Sequence, residues 1–109
     1  MDSNLKYKFT NIASIDLEAI LDYISINLFN YKSAEILKNR IKEAVELLLM
    51  FPKMGKSIDG YEGIRKIVVE GYILYYLYEN DKNLITILRI TNYKRDDKVI
   101  LEQIKSTLN

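Results

Sequence analysis

Hydrophobic and polar positions change period along this chain, and the changes mark its elements. Leu5, Tyr7 and Phe9 alternate with Lys6 and Lys8, a spacing of two that predicts a short first strand with one buried face. From Ala13 the spacing becomes helical. Leu17, Ile20, Leu21, Ile24 and Leu28 share one side while Asp16, Glu18 and Asp22 take the other, and Thr10 or Ser14 can cap the start. A second amphipathic helix opens at Tyr31 or Lys32, carries Ala34, Leu37, Ile41, Ala44, Val45 and Leu48, and must stop near Phe51 because Pro52 disfavours helical geometry in the residue before it. The connection NLFNYKS is short, so the two helices should form an antiparallel hairpin.

Beyond the hairpin, KMGKSIDGYEG reads as a loop and holds three of the four glycines. Strand-like runs follow at 64–69, 72–78 and 84–90. Glu70-Gly71 makes a tight turn between the first two, and residues 79–83 make a looser one before the third, so the runs should pair as an antiparallel meander. The run GYILYYLYEN carries four of the nine tyrosines. Tyr72, Leu74, Tyr76 and Tyr78 fall on one side of the strand and Ile73, Tyr75 and Leu77 on the other. A strand apolar on both sides belongs in the middle of a sheet, and most of its phenols read as packing. Val99, Ile100, Leu101 and Ile104 predict a last short helix from about Asp96, with Asp96 or Asp97 at its cap. The expected fold is α+β: an N-terminal strand, an antiparallel helical hairpin, a three-stranded antiparallel meander and a short C-terminal helix, in the order β-α-α-β-β-β-α, as one domain over 1–109.

Composition removes several kinds of chemistry. With no cysteine there is no disulfide, thiolate metal site or cysteine nucleophile, and with no histidine any catalysis near neutral pH must rest on Lys, Arg, Tyr or carboxylates. No metal is expected. No stretch is long and apolar enough to span a bilayer and the start has no apolar leader core, so a cytoplasmic protein without a membrane partner is expected. The formal net charge is +1, which provides no global attraction to nucleic acid, so any anion binding must come from a local patch.

The motifs DL..I..YI (Asp16-Leu17, Ile20, Tyr23-Ile24), FP..G (Phe51-Pro52, Gly55), an arginine opening the second strand (Arg65), an aromatic strand, and R-x-x-x-x-K-R-D (Arg89, Lys94-Arg95-Asp96) occur in this order. Together they resemble the RelE/ParE superfamily of toxins from type II toxin-antitoxin systems, including plasmid stabilization systems, over nearly the whole chain. The resemblance implies a twisted sheet backed by the helical hairpin with a concave open face, and a cognate antitoxin that covers the toxin in a hetero-oligomer. In the RelE branch the open face cuts messenger RNA on the ribosome as an mRNA interferase, an endoribonuclease that inhibits translation. In the ParE branch the toxin blocks DNA gyrase without cutting anything.

For RNA cleavage, the chain's candidates are Arg65, Arg89 and Arg95 as cations on the phosphate, with Tyr93 as a stacking platform or proton donor and Lys94, Lys53 and Lys56 as phosphate contacts. No cofactor is needed for such chemistry. Each residue also has a structural reading. Arg65 can pair with a carboxylate of the hairpin, Lys94 and Arg95 belong to a mixed charge run at a helix start, and Lys53 and Lys56 are loop lysines. Strict alternation places Arg89 on the side of Ile85 and Ile87, opposite Leu88 and Ile90. Asn92 stands where many RNA-cutting relatives carry a histidine, and Ile73 where an arginine is frequent. Three functions are therefore weighed: a ribosome-dependent endoribonuclease, placed first; a ParE-like gyrase inhibitor acting through the hairpin and tail; and an inactive member that only binds antitoxin.

Overall fold

The structure is a computed structural model and describes residues 4–108, so the expected single domain of 1–109 extends at residues 1–3 and 109 outside the described residues. Strand β1 (Lys6–Phe9) leads into helix α1 (Asn11–Asp22), whose cap is Thr10: its hydroxyl accepts the Ala13 N–H at 3.0 Å. The helix widens into a π turn over Tyr23–Asn27, where two β-branched isoleucines with Ser25 and Asn27 give weak helix propensity. Helix α2 (Tyr31–Met50) starts on an Asn30 cap and stops at Phe51, whose backbone leaves helical geometry (φ −133°, ψ 73°) before Pro52.

Five strands, β1 with β2 (Lys56–Ser57), β3 (Ile64–Val69), β4 (Tyr72–Glu79) and β5 (Leu84–Asn92), form one sheet in the order β1-β5-β4-β3-β2. The meander is β3, β4 and β5, and β4 lies between the other two as its two apolar sides require. Glu70 (φ 51°) and Gly71 (φ 86°) both turn left-handed, as the tight β3–β4 hairpin demands. The first strand joins this sheet, parallel to β5 from Lys6↔Leu84 to Phe9↔Ile87. One expectation needs correcting here. The segment read wholly as loop contains β2 (Lys56–Ser57), which pairs with Lys66 and Arg65.

A second correction concerns β5. Tyr75 faces Arg89 and Tyr76 faces Ile87 across the β4–β5 ladder, so Leu88 is an extra residue, a β-bulge. The bulge resets the alternation. Ile85, Ile87 and Ile90 all enter the core under the hairpin, whereas Leu88 joins the opposite core and Arg89 sits across from Tyr75. The predicted company of Arg89 with Ile85 and Ile87 is therefore wrong.

The sheet is covered on both faces. Under the hairpin, Leu37, Ile41, Val45 and Leu48 of α2 meet Leu74, Tyr76, Ile85 and Ile87. On the other face helix α3 (Asp97–Leu108) lays Ile100, Leu101 and Ile104 against Ile64, Tyr75 and Leu88. Tyr75 and Tyr76 are each 0% exposed, one in each core. Two central phenols thus supply bulk to opposite layers, which answers why the strand concentrates them. The open concave face implied by the resemblance is occupied by α3 at this stretch of the sheet.

Candidate functional site

The phenol of Tyr76 organises the FP..G loop. Its hydroxyl donates to the Pro52 carbonyl at 2.7 Å and accepts the Gly55 N–H at 3.0 Å. A Cβ on Gly55 would lie 2.6 Å from that oxygen and 3.0 Å from the Lys66 carbonyl oxygen, so no larger residue fits without a shift. Arg65 completes the loop by donating from Nη1 to the Gly55 carbonyl at 2.8 Å and the Lys53 carbonyl at 3.2 Å. Burial raises the Tyr76 hydroxyl above the usual phenol range against the opposing hydrogen bond from Gly55 and the charge of Arg65. Lys53 and Lys56 are exposed beside this loop.

Arg89 has a tighter setting. Its Nε and Nη2 donate to Asp16 at 2.7 and 3.2 Å, a bidentate pair with side chains only 14% and 15% exposed, and Nη1 donates to Gln103 at 2.7 Å. The Asp16 carboxylate also accepts the Ile90 N–H at 3.0 Å. Because β1 ends opposite Ile87, the outer edge of β5 is bare from Leu88 onward and α1 has to satisfy it: the Thr10 hydroxyl donates to the Leu88 carbonyl, and Asp16 takes the next donor. Asp16 and Arg89 fasten α1, β5 and α3 to one another.

A second anchor holds the start of α3. The Tyr75 hydroxyl and Lys66 Nζ both donate to the carboxylate of Asp97, the lysine at 2.8 Å. Burial alone would push the Asp97 carboxyl up; the hydrogen bonds from Lys66 and Tyr75 and the charges of Lys66 and Lys56 outweigh it and hold the group below the ordinary range. The Tyr75 phenol is raised, first by burial and then by its bond to Asp97. Asp96 accepts the Lys98 N–H at 3.0 Å and caps the helix.

The remaining candidates lie together on the turn between β5 and α3. Tyr93 is 58% exposed, with Lys94 Nζ 5.9 Å from its ring centre. Arg95 is exposed and lines a cleft of about 320 Å³ with Tyr23, Tyr72, Asn92 and the Asp16–Arg89 pair. The structure thus gathers Tyr93, Lys94 and Arg95 on one turn, and gives Arg65 and Arg89 protein partners elsewhere. The partner roles of Asp16, Gln103, Asp97 and Lys66 were missed by sequence reasoning, which read Asp97 only as a candidate cap of the last helix. Asp16 left a signal as the first residue of the DL..I..YI pattern, and Asp97 one as an acid at a helix start; Gln103 and Lys66 left none. Among the described residues, no cluster of three or more Asp or Glu could hold a metal ion.

A family model described as the ParE toxin of type II toxin-antitoxin system, parDE, matches residues 7–97. The chain belongs to the ParE toxin family. The chromosomal ParDE toxin-antitoxin system from P. aeruginosa is similar in structure, with a TM-score of 0.68 at 25% identity over 84% of this chain and 100% of that one. The isolated RelE toxin from E. coli shares the fold, with a TM-score of 0.61 at 18% identity over 93% and 96% of the two chains. No curated protein matches the chain significantly. ParE family membership makes this a toxin of a type II system with an antitoxin partner. No helix among the described residues is long and apolar enough to cross a membrane.

Proposed function

We propose that this ParE-family chain arrests growth by binding a protein target, DNA gyrase by resemblance to its branch, and that it does not cut messenger RNA. The observation that carries this reading is the state of the two strand arginines. Cleavage by a ribose 2′-OH requires donors free to follow the developing charge on phosphorus. Arg89 is bidentate to Asp16 and also bound to Gln103, and Arg65 is bound to two loop carbonyls. Tyr75, the phenol on the face where a substrate would lie, is 0% exposed and hydrogen-bonded to Asp97 at the foot of α3. The near-neutral net charge of +1 fits a protein partner better than a ribosome.

One observation favours the ribonuclease reading: Tyr93, Lys94 and Arg95 sit together, exposed, on one turn. A cytoplasmic site of action follows from either target. Induction of the free toxin in bacteria, with transcript ends mapped in the first minutes and DNA-damage signalling followed in parallel, separates the two. Growth arrest with damage signalling and intact transcripts is expected. New ends inside translated reading frames would overturn the proposal, and normal growth at a verified protein level would assign the chain to antitoxin binding alone.

A further inference from the structure

The open end of the β5 edge carries chemistry that neither fold nor toxicity requires. Past Asp16, the edge of Thr91 and Asn92 borders the cleft described above, with Ala19 and Ile20 of α1 and Ile90 as its apolar lining and Tyr23 and Tyr72 beside them. Two of its three ionic groups cancel, since Asp16 and Arg89 hold each other. The third, Arg95, has no ion-pair partner among the described residues. Asn92 uses its Oδ1 to accept the Lys94 N–H at 2.9 Å, which leaves the amide NH2 as a donor. Its backbone N–H is a donor too: alternate residues of a strand point their N–H the same way, Ile90 donates outward to Asp16, and Tyr93 donates inward to Gly71. The cleft therefore offers one unpaired cation and two amide donors among apolar side chains beside an open strand edge.

We infer that this cleft is an anchor for the cognate antitoxin, taking an acidic side chain flanked by apolar residues in an extended segment laid along the end of β5. The inference rests on the antitoxin partnership of the family and leaves the toxin's target open. The carboxylate pairs with Arg95 and the Asn92 donors, the apolar neighbours cover Ala19, Ile20 and Ile90, and the segment's backbone meets the bare edge. A nucleic-acid strand is the weaker fit. Its affinity comes from several cations set along the phosphates, and here a single unpaired one stands in a cleft otherwise balanced in charge.

The test uses the full-length toxin and a set of peptides tiled along the antitoxin encoded with it, with affinities read by calorimetry and the Asn92 and Tyr23 signals by NMR. At least one acidic peptide should bind and shift both signals. Arg95→Gln should weaken that peptide about tenfold or more, with a smaller salt dependence, while Lys98→Gln, which removes the same charge nearby, changes affinity less than about twofold. Restored binding between Arg95→Glu and a peptide carrying Lys in place of its acidic residue would identify the pair. Equal affinity of Arg95→Gln and the native toxin for every peptide sinks the inference. So does a short single-stranded RNA that shifts Asn92 and Tyr23 when no peptide does. Toxicity is scored separately: Arg95→Gln that still arrests growth but escapes neutralisation supports the anchor whatever the target, whereas full neutralisation with altered toxicity rejects the anchor and leaves the proposed function standing.

Discussion

Removing the Asp16 carboxylate should destabilise the toxin far more than deleting an ordinary surface charge. Asp16→Asn keeps shape and volume but leaves the Arg89 guanidinium, 14% exposed, without its counter-ion, and it weakens the acceptor that satisfies the Ile90 N–H. Breaking a buried pair from one side costs about 3–5 kcal/mol, and the residual exposure of these two groups puts the expected loss near the lower figure, about 3 kcal/mol. For a domain of this size that lowers the melting temperature by roughly 10–20 °C. Arg89→Met should cost less, because Asp16 keeps the Ile90 N–H and an opening to solvent. The double variant should be more stable than the sum of the two losses predicts, by about 1–3 kcal/mol, since neither charge is then stranded. Urea unfolding followed by circular dichroism measures all three, with an unchanged slope showing that only stability moved. High salt should leave most of the coupling, in contrast to a surface pair. Asp16→Asn within about 0.5 kcal/mol of the native protein, or additive single losses, would refute the clamp. The result also fixes how toxicity data are read: loss of toxicity in an Arg89 variant that tracks its lost stability is a folding effect and no sign of catalysis.

Tyr76→Phe should cost about 1–3 kcal/mol in the same urea assay, because it strips the partner from the buried Gly55 N–H and from the Pro52 carbonyl; no change in midpoint would mean the loop holds itself. Gly55→Ala should lower the melting temperature through its clash with Tyr76, and the Tyr76→Phe background should relieve part of that loss by removing the oxygen 2.6 Å from the new Cβ. The Asp97 carboxyl is held low in the folded state, so its contribution is complete above the unfolded value of about 4 and disappears as pH falls through the lower folded one. Asp97→Asn should accordingly flatten the acid side of the stability profile, and a profile parallel to the native one down to low pH would exclude the α3 anchor. Leu101→Ala, in the second core, should destabilise by about 2–5 kcal/mol; a loss below about 1 would show that α3 is only loosely applied to the sheet.

Much of this architecture was legible because each element announced its period. The helical stripes of α1 and α2, the stop at Pro52, the Glu70-Gly71 turn and the two-sided strand β4 all rest on local chemistry that one sequence carries. What stayed hidden was set by distant residues. Lys56-Ser57 has no strand signature and pairs only because Tyr76 and Arg65 fold the preceding loop back onto β3. The candidate site was legible in part: Tyr93, Lys94 and Arg95 are adjacent in sequence and stay together, whereas the partners of Arg65 and Arg89 come from other elements. Asp16 lies 73 residues from Arg89, and read along its own helix it is one more acid on a solvated face.

The bulge at Leu88 explains why the alternation rule failed where it mattered most. Without the extra residue, keeping Ile85 and Ile87 in the hairpin core would also turn Arg89 toward that core, whose buried side chains are apolar apart from the Tyr76 phenol, already bonded to Pro52 and Gly55. With it, Ile90 returns to that core and Arg89 emerges between α1 and α3, within reach of Asp16 and Gln103. On the other side of β5, β1 ends at Phe9 opposite Ile87 because the chain turns into α1 at Thr10, so Thr10 and α1 satisfy the edge as far as Ile90 and the cleft beside Arg95 opens after it. A β-bulge that first satisfies a core thereby makes Arg89 a structural residue, while the early end of β1 leaves the edge beside Arg95 open to a partner.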